Sequence, residues 1–157
     1  MTAPGSLVSI NVSDGGVPKR PVDGCAVLAG GLEGDRQRDL RYHGGPDRAV
    51  SLYSADLIRR LQAEGHPIVS GAIGENLTLT GIDWTMMVPG ALLRVGGVSL
   101  ELTAYAAPCK KIASAFAAEY FVRVSQKVHP GWSRLYARVL APGRIARGDR
   151  VIVEESA

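Results

Sequence analysis

The feature that most constrains the fold of this chain is the repeated interruption of short apolar runs by glycine and proline. The 157 residues include 19 glycines and 9 prolines, and most of them fall between runs that alternate apolar and polar side chains. Glycine and proline favour turns, whereas alternation with a period of two is typical of a half-buried strand. The sequence therefore predicts a β-rich chain in which tight turns separate short strands.

Strand candidates recur along the whole chain. The clearest hairpin joins the runs 92–95 and 98–103 through Gly96-Gly97, a pair that suits a tight turn. Together, the alternating runs predict about seven or eight strands. They are residues 7–12, 27–32, 49–53, 76–79, 92–95, 98–103, 135–140 and 151–154.

Two helical segments are predicted between the strands. Ser54 precedes the amphipathic run 57–61, so we expect it to be the N-cap of a helix that ends at Gly65. A second helical run is expected over residues 112–120. Strands and helices do not alternate as in a parallel α/β sheet. The predicted fold class is mainly β, a small mixed or antiparallel β-barrel with about two short helices in a single domain over residues 1–157, because closure removes exposed strand edges.

Composition and charge argue against several classes of partner. Lysine and arginine number 18 against 15 acidic residues, which leaves a net charge of only +3, and the basic residues are scattered. That pattern predicts no nucleic-acid binding and suits a small anionic ligand better. No apolar run approaches the roughly 20 residues that a membrane span needs. With 2 cysteines and no export signal at the start of the sequence, we expect a cytoplasmic protein.

Cys109 is the residue that points most directly to chemistry. It lies between the strand candidate 98–103 and the second helical run, beside Lys110 and Lys111. A helix N-terminus and adjacent lysines both favour the thiolate, the form that attacks electrophiles and binds soft metals. The alternative is that Cys109 is a small buried apolar residue, as most free cysteines are. We expect the thiol of Cys109 to react faster than that of Cys25, which lies in an apolar run.

Three further motifs stand out, each with a purely structural alternative. The first is Gly34-Asp35-Arg36 with the later stretch 42–50, which includes His43, Gly44, Gly45 and Arg48 and could simply form a tight turn. The second is Gly71-x-x-Gly74-Glu75-Asn76-Leu77-Thr78, which could simply be a turn in which Asn76 caps its own loop. The third is 136–149, which includes Arg138 and could be a solvated edge hairpin.

The order of these motifs resembles the MOSC domain, a family named after the C-terminal domain of molybdenum cofactor sulfurase. Gly-x-x-Gly-Asp, His-Gly-Gly, Gly-Glu-Asn, Pro-Cys and the closing Arg-Val-x-x-Pro-Gly-x-x-x-x-Gly-Asp occur in register from Leu7 to Val153. The resemblance is greatest to the stand-alone bacterial members. One departure precedes the cysteine, where this chain has Ala106-Ala107 and many relatives have a polar residue.

The resemblance implies a β-barrel that binds a molybdenum pyranopterin cofactor. In relatives such as the mitochondrial amidoxime-reducing component, the matching cysteine ligates molybdenum, so Cys109 would be both the metal ligand and the catalytic residue. Asn76 would contact the cofactor, and His43, Gly44 and Gly45 would line the same pocket. A thiolate is the ligand type expected for such a soft centre.

Positive charge could complete this pocket. A pyranopterin carries a phosphate, and the free N–H groups of the helix capped by Ser54 would suit such an anion. Arg36, Arg48 and Arg138 could add bidentate contacts.

The resemblance also implies a reaction and its partners. Relatives reduce N-hydroxylated or N-oxide compounds, and this chain shows no flavin, haem or iron–sulfur signature, so we expect a small-molecule substrate and a separate electron-donor protein. A homodimer is a candidate assembly, because a second subunit could enclose the pterin. Two alternatives remain, a sulfur carrier with a persulfide on Cys109 and a non-catalytic cofactor-binding module.

Overall fold

A seven-stranded closed β-barrel forms the body of the molecule in a computed structural model, which describes residues 4–36 and 45–154. Its strands are β1 (Gly5–Val12), β5 (Val50–Ser54), β6 (Leu77–Thr80), β7 (Leu92–Val95), β8 (Val98–Tyr105), β9 (Leu135–Ala141) and β11 (Arg150–Glu154). Their order around the barrel is β1, β6, β5, β9, β8, β7 and β11, and β11 pairs with β1 to close the ring. The predicted mainly β barrel is confirmed.

Within the described residues, four further strands lie outside the ring. Strand β2 (Arg20–Val22) pairs with β1 along its edge. Strands β3 (Gly24–Leu28), β4 (Gly31–Leu32) and β10 (Gly143–Ala146) form a separate sheet in which β3 is central. The single strand expected over residues 27–32 is therefore wrong, because the chain turns between β3 and β4 and the two strands pair with each other.

One crossover makes the barrel mixed rather than antiparallel. Strands β5 and β6 run parallel, whereas the other barrel neighbours run antiparallel. Parallel neighbours need a long connection, and helix α1 (Ala55–Ala63) forms the first part of it. Leu57, Ile58 and Leu61 lie on one face of α1 and are buried in the hydrophobic core. Burial of each such side chain contributes about 1.5–3 kcal/mol.

The second predicted helix differs from expectation. The segment forms three short 3-10 helices, Lys110–Ala115, Ala117–Glu119 and Phe121–Val124, instead of one helix over residues 112–120. Phe116 has an extended backbone, and Ala118 and Glu119 have positive φ angles of 54° and 57°. Left-handed residues break the α-helical hydrogen-bond ladder, so the segment folds around the barrel end as a chain of single turns.

No α-helix or 3-10 helix within residues 4–36 and 45–154 is long and apolar enough to cross a membrane.

Candidate functional site

A cavity of about 180 Å³ lies where the loop before β2, the loop before β6 and the segment after β8 meet. Gly74 and Asn76 reach it from the loop before β6, and Cys109 reaches it from the segment after β8. Tyr136 of β9 forms another part of the wall. The chain therefore brings Cys109 together with residues of all three further motifs, Arg36, Asn76 and Tyr136, although these lie far apart along it.

Cys109 stands at the start of the 3-10 helix Lys110–Ala115, in an extended backbone conformation with φ −138° and ψ 170°. Its side chain is half-buried, and its carbonyl oxygen accepts a hydrogen bond from the N–H of Ile112 at 3.1 Å. Ile112 and Ala113 are buried beneath this turn. The buried turn fixes the backbone of Cys109, while its thiol remains accessible from the cavity.

Asn76 is buried and all of its side-chain hydrogen-bonding groups are engaged within the protein. Its Oδ1 accepts from the N–H and the hydroxyl of Ser51 at 3.0 and 3.2 Å. Its Nδ2 donates to the carbonyl oxygen of Asn11 at 3.1 Å and to Oδ2 of Asp35 at 2.8 Å. An amide offers two donors and accepts about two bonds, so little capacity remains for a ligand. Asn76 therefore connects three segments of the chain at the cavity, those of Asn11, Asp35 and Ser51.

The loop before β6 passes very close to the loop before β2. Gly71 has a φ of 82°, and a Cβ atom built there would lie 2.3 Å from the carbonyl oxygen of Lys19. Gly74 has a φ of 84° and faces Val17 at 2.9 Å in the same way. Only glycine fits such a left-handed backbone at this separation. The glycines of this motif therefore allow the two loops to form one wall.

Glu75 is fully buried behind this wall. Its Oε2 accepts a hydrogen bond from the Thr78 hydroxyl at 3.0 Å, whereas Oε1 has no hydrogen bond of good geometry within the described part of the chain. Burial raises the pKa of Glu75 above its ordinary value, although the N–H groups of Gly71 and Glu75, the Thr78 hydroxyl and Arg134 act in the opposite direction. Burial is the largest effect, and it favours the neutral carboxyl.

Lys19 is a cation of the cavity wall that sequence reasoning missed. Its Nζ lies 2.6 Å from Oδ1 of Asp35, and the two side chains are 9% and 5% exposed. The N–H of Ser13 donates to the same carboxylate at 3.0 Å, and Asn76 donates to its other oxygen. The Gly-Asp motif of the sequence therefore supplies the carboxylate that fixes Lys19. No local pattern marked Lys19, because its partner is brought to it by the fold.

Arg134 is a second cavity residue that sequence reasoning missed. It is only 8% exposed, and it stands directly before β9. Its Nη1 donates to the carbonyl oxygen of Ile73 at 2.8 Å and its Nη2 to that of Ala107 at 3.5 Å. Its buried Nε has no hydrogen-bond partner in the described residues. The only available signal was its position two residues before Tyr136, where alternation turns its side chain to the same side of the strand.

The remaining predicted site residues lie elsewhere. Ser54 is buried, caps α1 by accepting from the N–H of Leu57 at 3.1 Å, and is not part of the cavity lining. Arg138 pairs with Glu101 and lies 3.7 Å from Asp47 on an exposed surface.

Only part of the motif that includes His43 belongs to the residues that the structure describes. Arg48 does not line the cavity, but its guanidinium stacks 5.3 Å from the ring centre of Tyr136, which does. Gly45 is exposed beside the 3-10 helix Pro46–Arg48. His43 and Gly44 fall outside the described residues, and Arg36 is exposed at the cavity edge.

Cys25 differs from Cys109 in its surroundings. It is 4% exposed in β3, and burial raises the pKa of its thiol, with Glu33 and Asp35 acting in the same direction and Arg144 against them. A raised thiol pKa lowers the fraction of reactive thiolate. Among the described residues, no three His, Cys, Asp or Glu side chains cluster as a metal site.

Comparison with known sequences identifies relatives over most of the chain. A sequence model of the MOSC domain matches residues 39–152. YflK of Bacillus subtilis, described as uncharacterized, is 33% identical over 135 residues, which is 85% of this chain and 60% of YflK. YiiM of Escherichia coli is 32% identical over 136 residues, with 83% of this chain and 59% of YiiM covered. The chain thus spans about 60% of the length of these two relatives.

More distant relatives and solved structures agree with this match. A protein of Gibberella moniliformis named "Reductase" is 33% identical over 119 residues, which is 72% of this chain but 21% of that protein. The crystal structure of YiiM from Geobacillus stearothermophilus has a TM-score of 0.72 at 26% identity and covers 97% of this chain and 76% of that one. The YuaD protein of Bacillus subtilis has a TM-score of 0.74 at 19% identity over 95% of this chain and 94% of that one, which shows a shared fold.

Proposed function

The chain belongs to the MOSC family, and from that premise we propose that it reduces N-hydroxylated or N-oxide compounds at a molybdenum pyranopterin cofactor held by Cys109. The observation that carries the proposal is the position of Cys109. Its half-buried thiol opens into a cavity whose wall contains four cationic side chains, Lys19, Arg36, Lys111 and Arg134. A soft ligand beside positive charge is the setting that a metal centre with an anionic cofactor requires.

The donor set of the cavity fits this cofactor class. Cys109 supplies a thiolate, and Arg134 contributes a guanidinium whose buried Nε has no partner within the described ranges. An anionic group such as a phosphate would balance the charge of that guanidinium. When bound, a molybdenum centre supplies oxygen-atom transfer and electron storage. The protein's own residues would bind this group, hold it in place and limit the access of water.

Other residues at the cavity would hold the binding groups in position or offer a surface for the substrate. Asn76 fixes Asp35, and Asp35 fixes Lys19, so the cation at this wall has a defined position. We propose that Asn76 holds the wall, while the direct cofactor contact expected from the motif stays a prediction. Tyr136 is 8% exposed and presents an aromatic surface to the cavity, where a planar base or amidine could pack.

The proposal includes partners and a location. Reduction of an N–O bond consumes two electrons, so we propose a separate electron-donor protein that delivers them. The substrate is a small molecule, and a second copy of the chain would complete the enclosure of the pterin. We place this reaction in the cytoplasm, where a free thiol stays reduced.

The reaction can be tested with two cysteine variants. Protein from a host that makes molybdopterin would be assayed with an N-hydroxylated base or an amidoxime and a chemical electron donor. We expect wild type and Cys25→Ala to turn over and Cys109→Ser to fall to background, because a serine hydroxyl is a hard and poorly ionised ligand. Turnover by Cys109→Ser at the wild-type rate would exclude the proposed role of Cys109.

A sulfur carrier is the second candidate, and the accessibility of Cys109 favours it as well. A persulfide must be reached by both a sulfur donor and an acceptor, and the half-buried thiol beside exposed Lys111 meets that need. The two functions differ in what the isolated protein contains. Sulfane sulfur at Cys109 without molybdenum would support the carrier, and molybdenum without sulfane sulfur would support the reductase.

A further inference from the structure

The four cations of the cavity wall differ in how far a nearby carboxylate or solvent neutralises their charge. Residues of the described ranges contribute four cations to the lining and no carboxylate. Lys19 is neutralised by Asp35 at 2.6 Å, and the exposed Arg36 lies 3.8 Å from Asp14. Lys111 is exposed to solvent, which screens its charge. Arg134 is the cation that is neither paired with a carboxylate nor exposed.

The surroundings of Arg134 leave its charge uncompensated. Two of its nitrogens donate to backbone carbonyl groups, those of Ile73 and Ala107, and within the described residues no carboxylate lies within 4.0 Å of it. Its Nε is buried and without a partner there. A buried charge that lacks a counter-charge is costly unless a ligand supplies one.

Glu75 does not fill this gap. The guanidinium of Arg134 acts to lower the pKa of Glu75, but burial has the larger effect, raises this pKa and favours the neutral form. The Glu75 oxygen that does form a hydrogen bond accepts it from Thr78. No hydrogen bond or ion pair joins Glu75 to Arg134 within the described residues, so the positive charge of the guanidinium remains available to an anion in the cavity.

We propose that Arg134 makes the cysteine cavity an oxyanion site, so that ligands reach Cys109 with a carboxylate or phosphate group held by this guanidinium. Arg134 bonds to the carbonyl oxygen of Ala107, two residues before Cys109, and both Arg134 and Cys109 line the cavity, so a group bound by Arg134 would share the cavity with the thiol. A guanidinium binds both carboxylate and phosphate through paired N–H groups. Lys111, on the other side of Cys109 in the sequence, adds positive charge at the same wall.

This inference deepens the proposed function by naming the charge of the ligand, but it does not depend on molybdenum. It predicts that the cavity discriminates between reactants of equal size and different charge. A neutral ligand would leave Arg134 uncompensated, whereas an anion would satisfy it. The discrimination can be measured on cofactor-free protein. The oxyanion site can therefore be disproved without disproving the reductase function, and the reductase function can be disproved without disproving the oxyanion site.

The test compares two alkylating reagents on cofactor-free Cys25→Ala protein at one pH and one ionic strength. Iodoacetate and iodoacetamide both alkylate a thiolate, which forms a C–S bond as the C–I bond breaks and iodide leaves, but only iodoacetate is an anion. We expect Arg134→Gln to lower the ratio of the iodoacetate rate to the iodoacetamide rate about tenfold, as loss of a charge-assisted contact should. Arg138→Gln, a cation paired with Glu101 away from the cavity, should leave the ratio unchanged.

Inorganic phosphate provides a second readout. In wild type it should slow iodoacetate more than iodoacetamide, and this protection should be weaker in Arg134→Gln. If Arg134→Gln fails to fold, Lys111→Gln serves instead, because Lys111 is exposed and its replacement should lower the ratio about twofold to threefold without disturbing the core. Equal ratios in wild type and Arg134→Gln, or the absence of phosphate protection in wild type, would overturn the oxyanion site.

The origin of the oxyanion can be separated on cofactor-loaded protein. Competitive inhibition by inorganic phosphate, with a raised KM and an unchanged kcat, would assign the site to an anionic group of the substrate. Turnover that is insensitive to phosphate, in a protein whose cofactor-free form is protected by it, would assign the site to the phosphate of the bound cofactor.

Discussion

Two largely buried arginines, Arg123 and Arg134, show how differently the same side chain is used in this molecule. The side chain of Arg123 is 12% exposed, and its Nε and Nη2 donate to the two carboxylate oxygens of Glu64 at 2.9 and 2.8 Å. Its guanidinium also stacks 3.8 Å from the ring centre of Trp132. Arg134 has comparable burial, but its hydrogen bonds go to carbonyl groups alone.

The carboxyl group next to each arginine makes the contrast sharper. Arg123 lowers the pKa of Glu64, chiefly through their hydrogen bonds, which favours an ionised pair, although Nη1 of Arg123 is also buried without a hydrogen-bond partner in the described residues. Glu75 responds mainly to burial, which raises its pKa, and among the described residues it makes no hydrogen bond or ion pair with Arg134. A buried arginine that contacts carbonyl groups but no carboxylate is therefore the better candidate for binding an anionic ligand. Arg123, by contrast, fastens the Phe121–Val124 turn to the end of α1.

The largest expected effect separates the two arginines by turnover. In cofactor-loaded protein, Arg134→Gln should lower kcat/KM about 10-fold to 100-fold, because it removes a charge-assisted contact to the bound anion. Arg123→Gln should change kcat/KM less than about threefold, since it lies outside the cavity lining. Steady-state kinetics with an N-hydroxylated substrate measures both. Equal losses in the two variants would remove the distinction between them.

The next effect separates them by stability. Arg123→Leu should lower the free energy of unfolding by about 1–2 kcal/mol, because it removes the stacking on Trp132 and a pair that is partly screened by solvent. Urea unfolding of the cofactor-free protein measures this change. The rise in melting temperature caused by added phosphate should be the same as in wild type, because Arg134 is intact. A loss of that rise in Arg123→Leu would place the anion site elsewhere.

A smaller effect concerns pH, and the two carboxyl groups should act with opposite sign. The pKa of Glu75 is raised in the folded state, so its contribution to stability falls as pH rises from its ordinary pKa of 4.5 to the raised value. The pKa of Glu64 is lowered, so the stability that it contributes is lost as pH falls below 4.5 through the lowered value.

Substitution of each acid tests these signs. Glu75→Gln should gain stability relative to wild type as pH rises above 4.5, whereas Glu64→Gln should lose stability relative to wild type as pH rises towards 4.5 from below. Urea midpoints measured on both sides of pH 4.5 give the two differences. If the two variants shift in the same direction, the two acids do not differ in ionisation as described.

The smallest effect is expected at Arg138. Its guanidinium pairs with Glu101 on an exposed surface, where solvent screens the interaction. Arg138→Gln should therefore leave kcat/KM and the iodoacetate preference within experimental error of wild type. A tenfold loss in either quantity would show that the cavity extends to Arg138, as the sequence motif had suggested.

The sequence predicted the parts of the fold that depend on local patterns. Alternation located the barrel strands, and Gly96-Gly97 marked the turn between β7 and β8, because both signals lie within a few residues. The segment after Cys109 was predicted less well. Its apolar residues favour a helix locally, but burial of Ile112 and Phe116 against the barrel holds it in short turns.

The candidate site, too, was predicted only in part from the sequence. The motifs led to Gly74, Asn76 and Cys109, which the structure brings to one cavity. They did not lead to Lys19 or Arg134, because the groups that position these side chains are distant in sequence. Asp35 pairs with Lys19, and the carbonyl oxygen of Ile73 accepts a hydrogen bond from Arg134. Charge compensation depends on three-dimensional neighbours, which a pattern along the chain does not contain.

We propose that the cavity at Cys109 holds a molybdenum cofactor, and the molybdenum content of purified protein tests this proposal most directly. Wild type, Cys25→Ala and Cys109→Ser would be purified from a host that makes molybdopterin and measured by elemental analysis. We expect about one molybdenum atom per chain in wild type and Cys25→Ala, and close to none in Cys109→Ser, since the soft ligand is lost. Equal molybdenum content in wild type and Cys109→Ser, or none in wild type, would contradict the proposal.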